Sequence, residues 1–231
     1  MSIPFSLFDK RHYPTVDVAA GYAEWAHVYD ARQGDELDID LLKHVQSIQW
    51  KEINSAIDLA CGTGRIGAWM KAQGVRQIHG VDLSPQMITH AARKNIYTSL
   101  AQANMVALPH PAAACGLGIT VLATCHLPDL IPFFQEAGRV IKNTLIIVDY
   151  HPFFLIKGIP THFDNANGEA VAIENTVHLI SDYVNAAREA HWSLIEMRER
   201  LVDEKWIARA PGMGKYINEP VSFVMVWRRM L

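Results

Sequence analysis

The chain has 231 residues, half of them apolar, which suits one α/β unit with a sizeable core and excludes intrinsic disorder. A formal net charge of -3 argues against sequence-independent nucleic-acid binding, which needs a basic face to neutralise phosphates. Three cysteines (Cys61, Cys115 and Cys125) are too few for a disulfide scaffold and point to a reducing, cytoplasmic setting.

Residues 1–14 read as irregular, because Pro4 and Pro14 break any early helix. Asp9, Lys10 and Arg11 fall where a signal peptide would be apolar. From Asp17 to Asp30 the spacing is helical, with Val18, Tyr22, Trp25, Ala26 and Tyr29 on one face. A polar stretch, Asp30 to Asp40, leads to a second helix through Leu41, Leu42, Val45 and Ile48. The pattern then alternates. A strand over Ala56–Ala60 precedes a helix from Arg65 to Gln73 that stops at Gly74, and Gln77–Asp82 is a second strand. Ser84 caps the next helix, with Pro85 at its first position.

Further along, Ile96–Gln102 reads as a weak strand, Gly118–Ala123 as a stronger one, Pro128–Ile141 as a helix and Thr144–Tyr150 as a β-branched strand. Repeated strand–helix–strand units require parallel pairing with right-handed crossovers, hence a doubly wound Rossmann-like sheet. A loop-rich stretch, His151 to Glu174, follows. Beyond it come a helix near Thr176–Ala190 and two strand-like runs, Trp192–Val202 and Val221–Arg228. With no helix between them, these two should pair antiparallel and close one edge of the sheet. No apolar run reaches the ~20 residues that span a bilayer, so no membrane partner is expected. Without repeats or linkers, residues 1–231 read as a single domain, monomeric or homodimeric.

The segment Asp58-Leu59-Ala60-Cys61-Gly62-Thr63-Gly64-Arg65-Ile66-Gly67 carries the chemistry. It joins a strand to a helix, and Gly62, Gly64 and Gly67 fit G-x-G-x-x-G, a turn that lets backbone approach a ligand and aims helix N–H groups at it. Two ligand classes compete for such a loop. A dinucleotide would place a diphosphate there, which Asp58 at the strand's end would repel. A sulfonium and ammonium would be attracted instead. At ~4 Å and an effective dielectric near 20, one charge amounts to ~4 kcal/mol before desolvation, enough to select between them. Asp82 ends the second strand, where an acid can take both ribose hydroxyls of either ligand.

These residues, together with Gly80-Val81-Asp82-Leu83-Ser84-Pro85-Gln86-Met87 and Ala103-Asn104-Met105 followed by Leu108-Pro109, resemble the class I S-adenosylmethionine-dependent methyltransferases. The resemblance implies a seven-stranded sheet, mostly parallel with an antiparallel last strand. It implies S-adenosylmethionine as cofactor, with Gly62, Thr63 and Gly64 along the methionine end, Asp82 on the ribose, Leu83 and Met87 near the adenine, and Asn104 and Met105 at its edge. It divides the chain into a helical lid (1–50), a cofactor-binding core (51–150), a substrate-covering insertion (151–175) and a C-terminal helix with the strand pair (176–231). Three departures stand out: Asn104 where many relatives carry an acid, Cys115-Gly116 without the acid often found before the fourth strand, and a turn reduced to Lys142-Asn143-Thr144.

The aromatic stripe of Tyr22, Trp25 and Tyr29 reads as core packing or as a lid over the methyl donor, where aromatic faces attract a sulfonium. None of the eleven histidines falls in a metal-ligand motif, so no metal is expected. His126 and His151 follow the fourth and fifth strands, at the crevice of a doubly wound sheet. Either is a candidate base for an oxygen nucleophile. Phe153, Phe154, Ile159 and Phe163 give the insertion an apolar lining that suits a small organic acceptor, and no basic patch favours nucleic acid. The expected activity is therefore methyl transfer to a small molecule. A non-catalytic cofactor-binding protein is the first alternative. A nicotinamide-dependent oxidoreductase is less favoured, because Asp58 opposes a diphosphate and no Tyr-x-x-x-Lys pair occurs.

Overall fold

The computed structural model describes residues 3–32 and 37–230, so part of the polar Asp30–Asp40 stretch lies outside the described residues. The main sheet has seven strands: β1 (Ser55–Leu59), β2 (Gln77–Asp82), β3 (Ser99–Gln102), β4 (Cys115–Val121), β5 (Ile141–Tyr150), β6 (Trp192–Leu201) and β7 (Pro220–Arg229). Their spatial order is β6-β7-β5-β4-β1-β2-β3. β1 to β5 pair in parallel, and β7 runs antiparallel to both β5 and β6. The last strand is therefore inserted beside β5 rather than added at the rim. The fold is the expected one.

Strand interiors such as Leu145-Ile146-Ile147-Val148 are wholly buried because helices cover both faces. Alternate residues serve opposite layers, as the two-residue period requires. Leu145 and Ile147 join Phe133, Phe134, Tyr183 and Trp227 on one side. Ile146 and Val148 join Leu42, Ile66 and Met70 on the other. The covering helices are α3 (Leu37–Lys43) and α4 (Arg65–Ala72) on the second side, and α6 (Ile131–Val140) and α8 (Ile180–Glu189) on the first. Each fully buried Leu, Ile or Phe contributes ~1.5–3 kcal/mol of transfer free energy. Helix α5 (Pro85–Arg93) begins as its sequence dictates, with Ser84 Oγ accepting from Met87 N at 3.3 Å. None of the described helices is long and apolar enough to cross a membrane.

The N-terminal region departs from its sequence reading. Helix α1 (Val18–Trp25) is capped by Asp17, whose Oδ1 accepts from Ala20 N at 3.0 Å, but it stops at Trp25 and a short α2 (Tyr29–Arg32) follows. Residues 1–14, read as irregular, include a strand at Ile3–Pro4 and a 3-10 turn at Phe5–Leu7. The second helix ends at Lys43, and Val45 and Ile48 are buried from a loop instead.

The insertion is ordered by the same region. It holds α7 (Pro152–Ile156) and strands His162–Asp164 and Ala170–Ile173. Thr15–Val16 pairs in parallel with Ala172–Ile173, and Ile3–Pro4 pairs antiparallel with Thr176–Val177. That last pairing takes the first residues of the expected Thr176–Ala190 helix, which begins at Ile180. Partners so distant in sequence leave no local periodicity to read. The C-terminal pair pairs as expected, though a short α9 (Glu204–Arg209) lies between its strands.

Candidate functional site

A cleft of about 230 Å³ opens at the carboxyl ends of β1, β2 and β4, the position at which open α/β sheets bind ligands. Its floor comes from the turns after those strands: Ala60 and Gly62; Asp82, Leu83, Ser84 and Met87; and Val121, Leu122, Ala123 and His126. Ala103, Asn104 and Met105 close one end, and Val18, Ala19, Tyr22 and Tyr29 form the roof. Ala60 (φ 56°) and Leu122 (φ 55°) both hold left-handed backbone against this cleft, a conformation costing a non-glycine residue ~1–2 kcal/mol. Strain held in two strand-end turns facing one cavity is a mark of a ligand site. Neither residue carried a sequence signal.

Among the described residues, Asp82 is the one carboxylate lining the cleft. Its Oδ2 accepts from Gly62 N at 2.7 Å and its Oδ1 from Ser84 N at 2.9 Å, tying the glycine loop to the end of β2. Burial, at 8 % exposure, raises its pKa, and the backbone N–H bonds oppose that rise. Each carboxylate oxygen has two lone-pair sites, so one on each stays open for a ligand hydroxyl. A Cβ built on Gly62 would touch nothing within 4 Å, so the loop leaves open room there.

Asp58 lies elsewhere. It is 1 % exposed and behind the loop, with Oδ2 accepting from Tyr97 Oη at 2.7 Å. Burial pushes its pKa up to about 7 against the pull of that hydrogen bond. Tyr97, absent from the sequence reading, explains two glycines. A Cβ on Gly67 would lie 2.3 Å from Tyr97 Oη, and one on Gly80 would lie 2.8 Å from its ring. Gly80 inside a strand was the available signal, since glycine there marks close approach of another group. Gly64 holds φ 87° as the N-cap of α4, and Thr63 is buried with Oγ1 donating to Asp30 Oδ1 at 2.5 Å. Gly64 and Thr63 thus support the loop without lining the cleft.

The two histidines separate. His126 lines the cleft. Its Nδ1 is 2.6 Å from the Glu174 carbonyl oxygen, which can only accept, so Nδ1 carries the proton. Nε2 then accepts from Tyr22 Oη at 2.9 Å. Burial lowers the His126 pKa and raises that of Tyr22, keeping both neutral. Beneath them the buried Asp149 accepts from Thr124 Oγ1 and, at 2.9 Å, from Cys125 N, which fixes the turn bearing His126. His151 caps α7 instead, accepting from Phe153 N at 3.2 Å on Nδ1 and donating from Nε2 to Glu199 at 2.9 Å. It is outside the cleft lining.

Among the cofactor candidates, Gly62, Asp82, Leu83, Met87, Asn104, Met105, Tyr22 and Tyr29 meet in one cavity, whereas Asp58, Thr63 and Gly64 stand behind it. Asn104 Oδ1 accepts from Val106 N at 3.1 Å, which orients the side chain at the cleft's end. The aromatic stripe divides its work. Trp25 stacks on Phe163 of the insertion at 5.6 Å, while Tyr22 and Tyr29 border the cleft. Among the described residues, no group of three or more His, Cys, Asp or Glu is arranged to hold a metal ion.

A family model described as a methyltransferase domain matches residues 57–148. The human methyltransferase-like protein 27 is 33% identical over 97 residues, and that alignment covers 39% of each chain. The chain thus spans well under half the length of this relative. Among solved structures, an S-adenosylmethionine-dependent methyltransferase from Mesorhizobium loti superposes with a TM-score of 0.69 at 17% identity, over 85% of this chain and 99% of that one. The DhpI–SAH complex superposes with a TM-score of 0.66 at 16% identity, over 91% of this chain and 94% of that one.

Proposed function

We propose that this protein is a class I S-adenosylmethionine-dependent methyltransferase that transfers a methyl group to a small organic acceptor bound under its lid, a reading supported by the match of residues 57–148 to a methyltransferase-domain model and by the shared fold. The observation that carries the reading is the cleft built on Asp82. Asp82 stands where it can take vicinal ribose hydroxyls, and Gly62 beside it leaves open room for the methionine end, while Asp58, expected to repel a diphosphate, lies behind the cleft.

The residues present fit the cofactor. Asp82 would hold the ribose hydroxyls on its two open lone-pair sites. Leu83 and Met87 would flank the adenine, with Asn104 and Met105 at its edge. Gly62 would border the methionine end, with Thr63 and Gly64 holding the loop, while Tyr22 and Tyr29 cover it. Asp58 would act from behind, through Tyr97 and the loop backbone. When bound, S-adenosylmethionine supplies an electrophilic methyl group on a sulfonium that a nucleophile takes by in-line displacement.

The chain itself aligns the acceptor, excludes water and takes up a proton. An acceptor O–H gives its proton to Tyr22 Oη as the Tyr22 proton passes to His126 Nε2, leaving a neutral tyrosine and an imidazolium whose Nδ1–H stays on the Glu174 carbonyl. His126 is preferred to His151 as the base because it borders the cleft. The apolar cleft residues Val18, Ala19, Val121 and Leu122 support a small organic acceptor, and three free, buried cysteines support a reducing, cytoplasmic setting.

Thermal shift with S-adenosylhomocysteine, with NADH and with buffer alone tests the cofactor, and labelled-methyl transfer into a metabolite extract tests the reaction. A rise with S-adenosylhomocysteine only, followed by labelling of a small molecule, is the expected result. Stabilisation by NADH alone ends the reading. Cofactor binding with no labelled product leaves a binding protein without turnover.

A further inference from the structure

A second cavity, of about 500 Å³, lies at the opposite ends of the strands and takes no part in the proposed reaction. The segment Ser47–Ser55 roofs it, and Gly116, Lys142, Asn143, Thr144 and Arg228 form its wall. From Ser55 to the cleft is the whole length of β1, roughly 15 Å.

The wall follows from strand register. Arg228 of β7 is directly opposite Thr144 of β5, so these two share a face of the sheet. Lys142 lines the same cavity from β5, where a bulge between Ile141 and Thr144 interrupts the two-residue alternation. Two cations are thereby brought to adjacent strands, where like charges this near repel unless something negative lies between them. Among the described residues neither Lys142 nor Arg228 has an ion-pair partner. Among the described residues, Glu52 is the one carboxylate in the lining. The nearby Glu196 is already engaged, by Gln46 N at 3.0 Å, Ser47 N at 2.8 Å and Arg198 at 2.9 Å.

The Thr144 hydroxyl is unpartnered too. Thr144 is only 6 % exposed, yet its hydroxyl has no hydrogen-bond partner and is not sealed from the cavity. Ser47 Oγ is buried against Glu196, whose charged form it favours, and is not open to the cavity. A cavity lined by two cations, the Thr144 hydroxyl and the Asn143 amide, with Glu52 as its described carboxylate, suits a ligand with several acceptor oxygens and more than one negative charge. A phosphate monoester has both, at -1.5 to -2 near neutral pH with three acceptor oxygens, whereas a single carboxylate has neither. The volume exceeds what the phosphate alone would fill.

We propose that this cavity is a binding site for a phosphorylated small molecule, held by Lys142, Arg228 and Thr144, separate from the methyl-transfer cleft. Phosphate salts stabilise most proteins by exclusion from the surface, so the test reads local binding. Backbone amide NMR shifts of the full chain are followed while titrating glycerol phosphate, inorganic phosphate or succinate at constant ionic strength. The proposal expects saturable shifts at Asn143, Thr144 and Gly116 with glycerol phosphate, weaker ones with inorganic phosphate, and at least a tenfold loss of affinity in the Lys142→Gln/Arg228→Gln variant. Both substitutions are at exposed positions outside the cleft, and an unchanged response to S-adenosylhomocysteine would verify that the variant is folded. Linear, non-saturating shifts overturn it, as does equal binding by the double variant. Succinate binding as tightly as glycerol phosphate removes the phosphate assignment.

Discussion

The hydroxyl of Tyr22 is 2.9 Å from Nε2 of His126, joining a lid helix to the turn after β4 across 104 residues of sequence. The Glu174 carbonyl on Nδ1 sets the direction of that bond. The roof, the floor and the insertion thus meet at one imidazole, whose Nε2 accepts a hydrogen bond.

His126→Gln should lower turnover of a hydroxyl acceptor by roughly 10²–10⁴-fold, the usual range for a lost general base. Tyr22→Phe should lower it less, while titration calorimetry finds S-adenosylhomocysteine affinity nearly unchanged in the His126 variant. Burial lowers the His126 pKa, so it stays unprotonated further into acid than an ordinary imidazole. The acid limb of the kcat/KM profile should therefore fall below the ordinary imidazole value of 6.5, and vanish in His126→Gln. Wild-type rates in that variant remove the residue from the mechanism.

Asp58 makes a pH prediction of the opposite kind. Its pKa rises from 3.8 to about 7 in the folded chain, so the fold favours its protonated form. The stability it contributes is complete below pH 4 and is lost as pH rises to 7, at up to ~1.4 kcal/mol per pH unit. Asp58→Asn keeps an acceptor for Tyr97 and removes this titration. Melting temperatures of the two proteins should converge near pH 4, with the variant the more stable at pH 8. Parallel curves would mean that Asp58 is ionised throughout.

Gly67 and Gly62 should fail in different assays. Gly67→Ala drives a methyl group into Tyr97 and should cost ~1–3 kcal/mol of stability, read by urea denaturation. Tyr97→Leu on the same chain should recover part of that loss. Gly62→Ala meets open space, so its stability cost is limited to the ~1–2 kcal/mol of a left-handed alanine, but its methyl group enters the cleft. Its main effect should be at least a tenfold loss of S-adenosylhomocysteine affinity.

Asp82→Asn should also weaken S-adenosylhomocysteine, by roughly tenfold or more, because an amide offers one acceptor oxygen in place of two. Gly62 N and Ser84 N would then compete for that oxygen. A calorimetric affinity equal to wild type would separate Asp82 from the ribose.

The alternation of strand and helix, the cap at Ser84, the glycine turn and Asp82 at the end of β2 were legible in the sequence. Each is a local matter of side-chain period, hydrogen-bonding reach or backbone freedom over a few residues. Tertiary structure alone decided which acid borders the cleft, because Asp58 and Asp82 end neighbouring strands and only packing turns one toward Tyr97 and the other toward the cavity. It also divided His126 from His151 and paired Thr15–Val16 with Ala172–Ile173. Those outcomes depend on contacts between segments tens to more than a hundred residues apart, whose closeness is set by sheet order and crossover handedness and leaves no trace in a short window of residues.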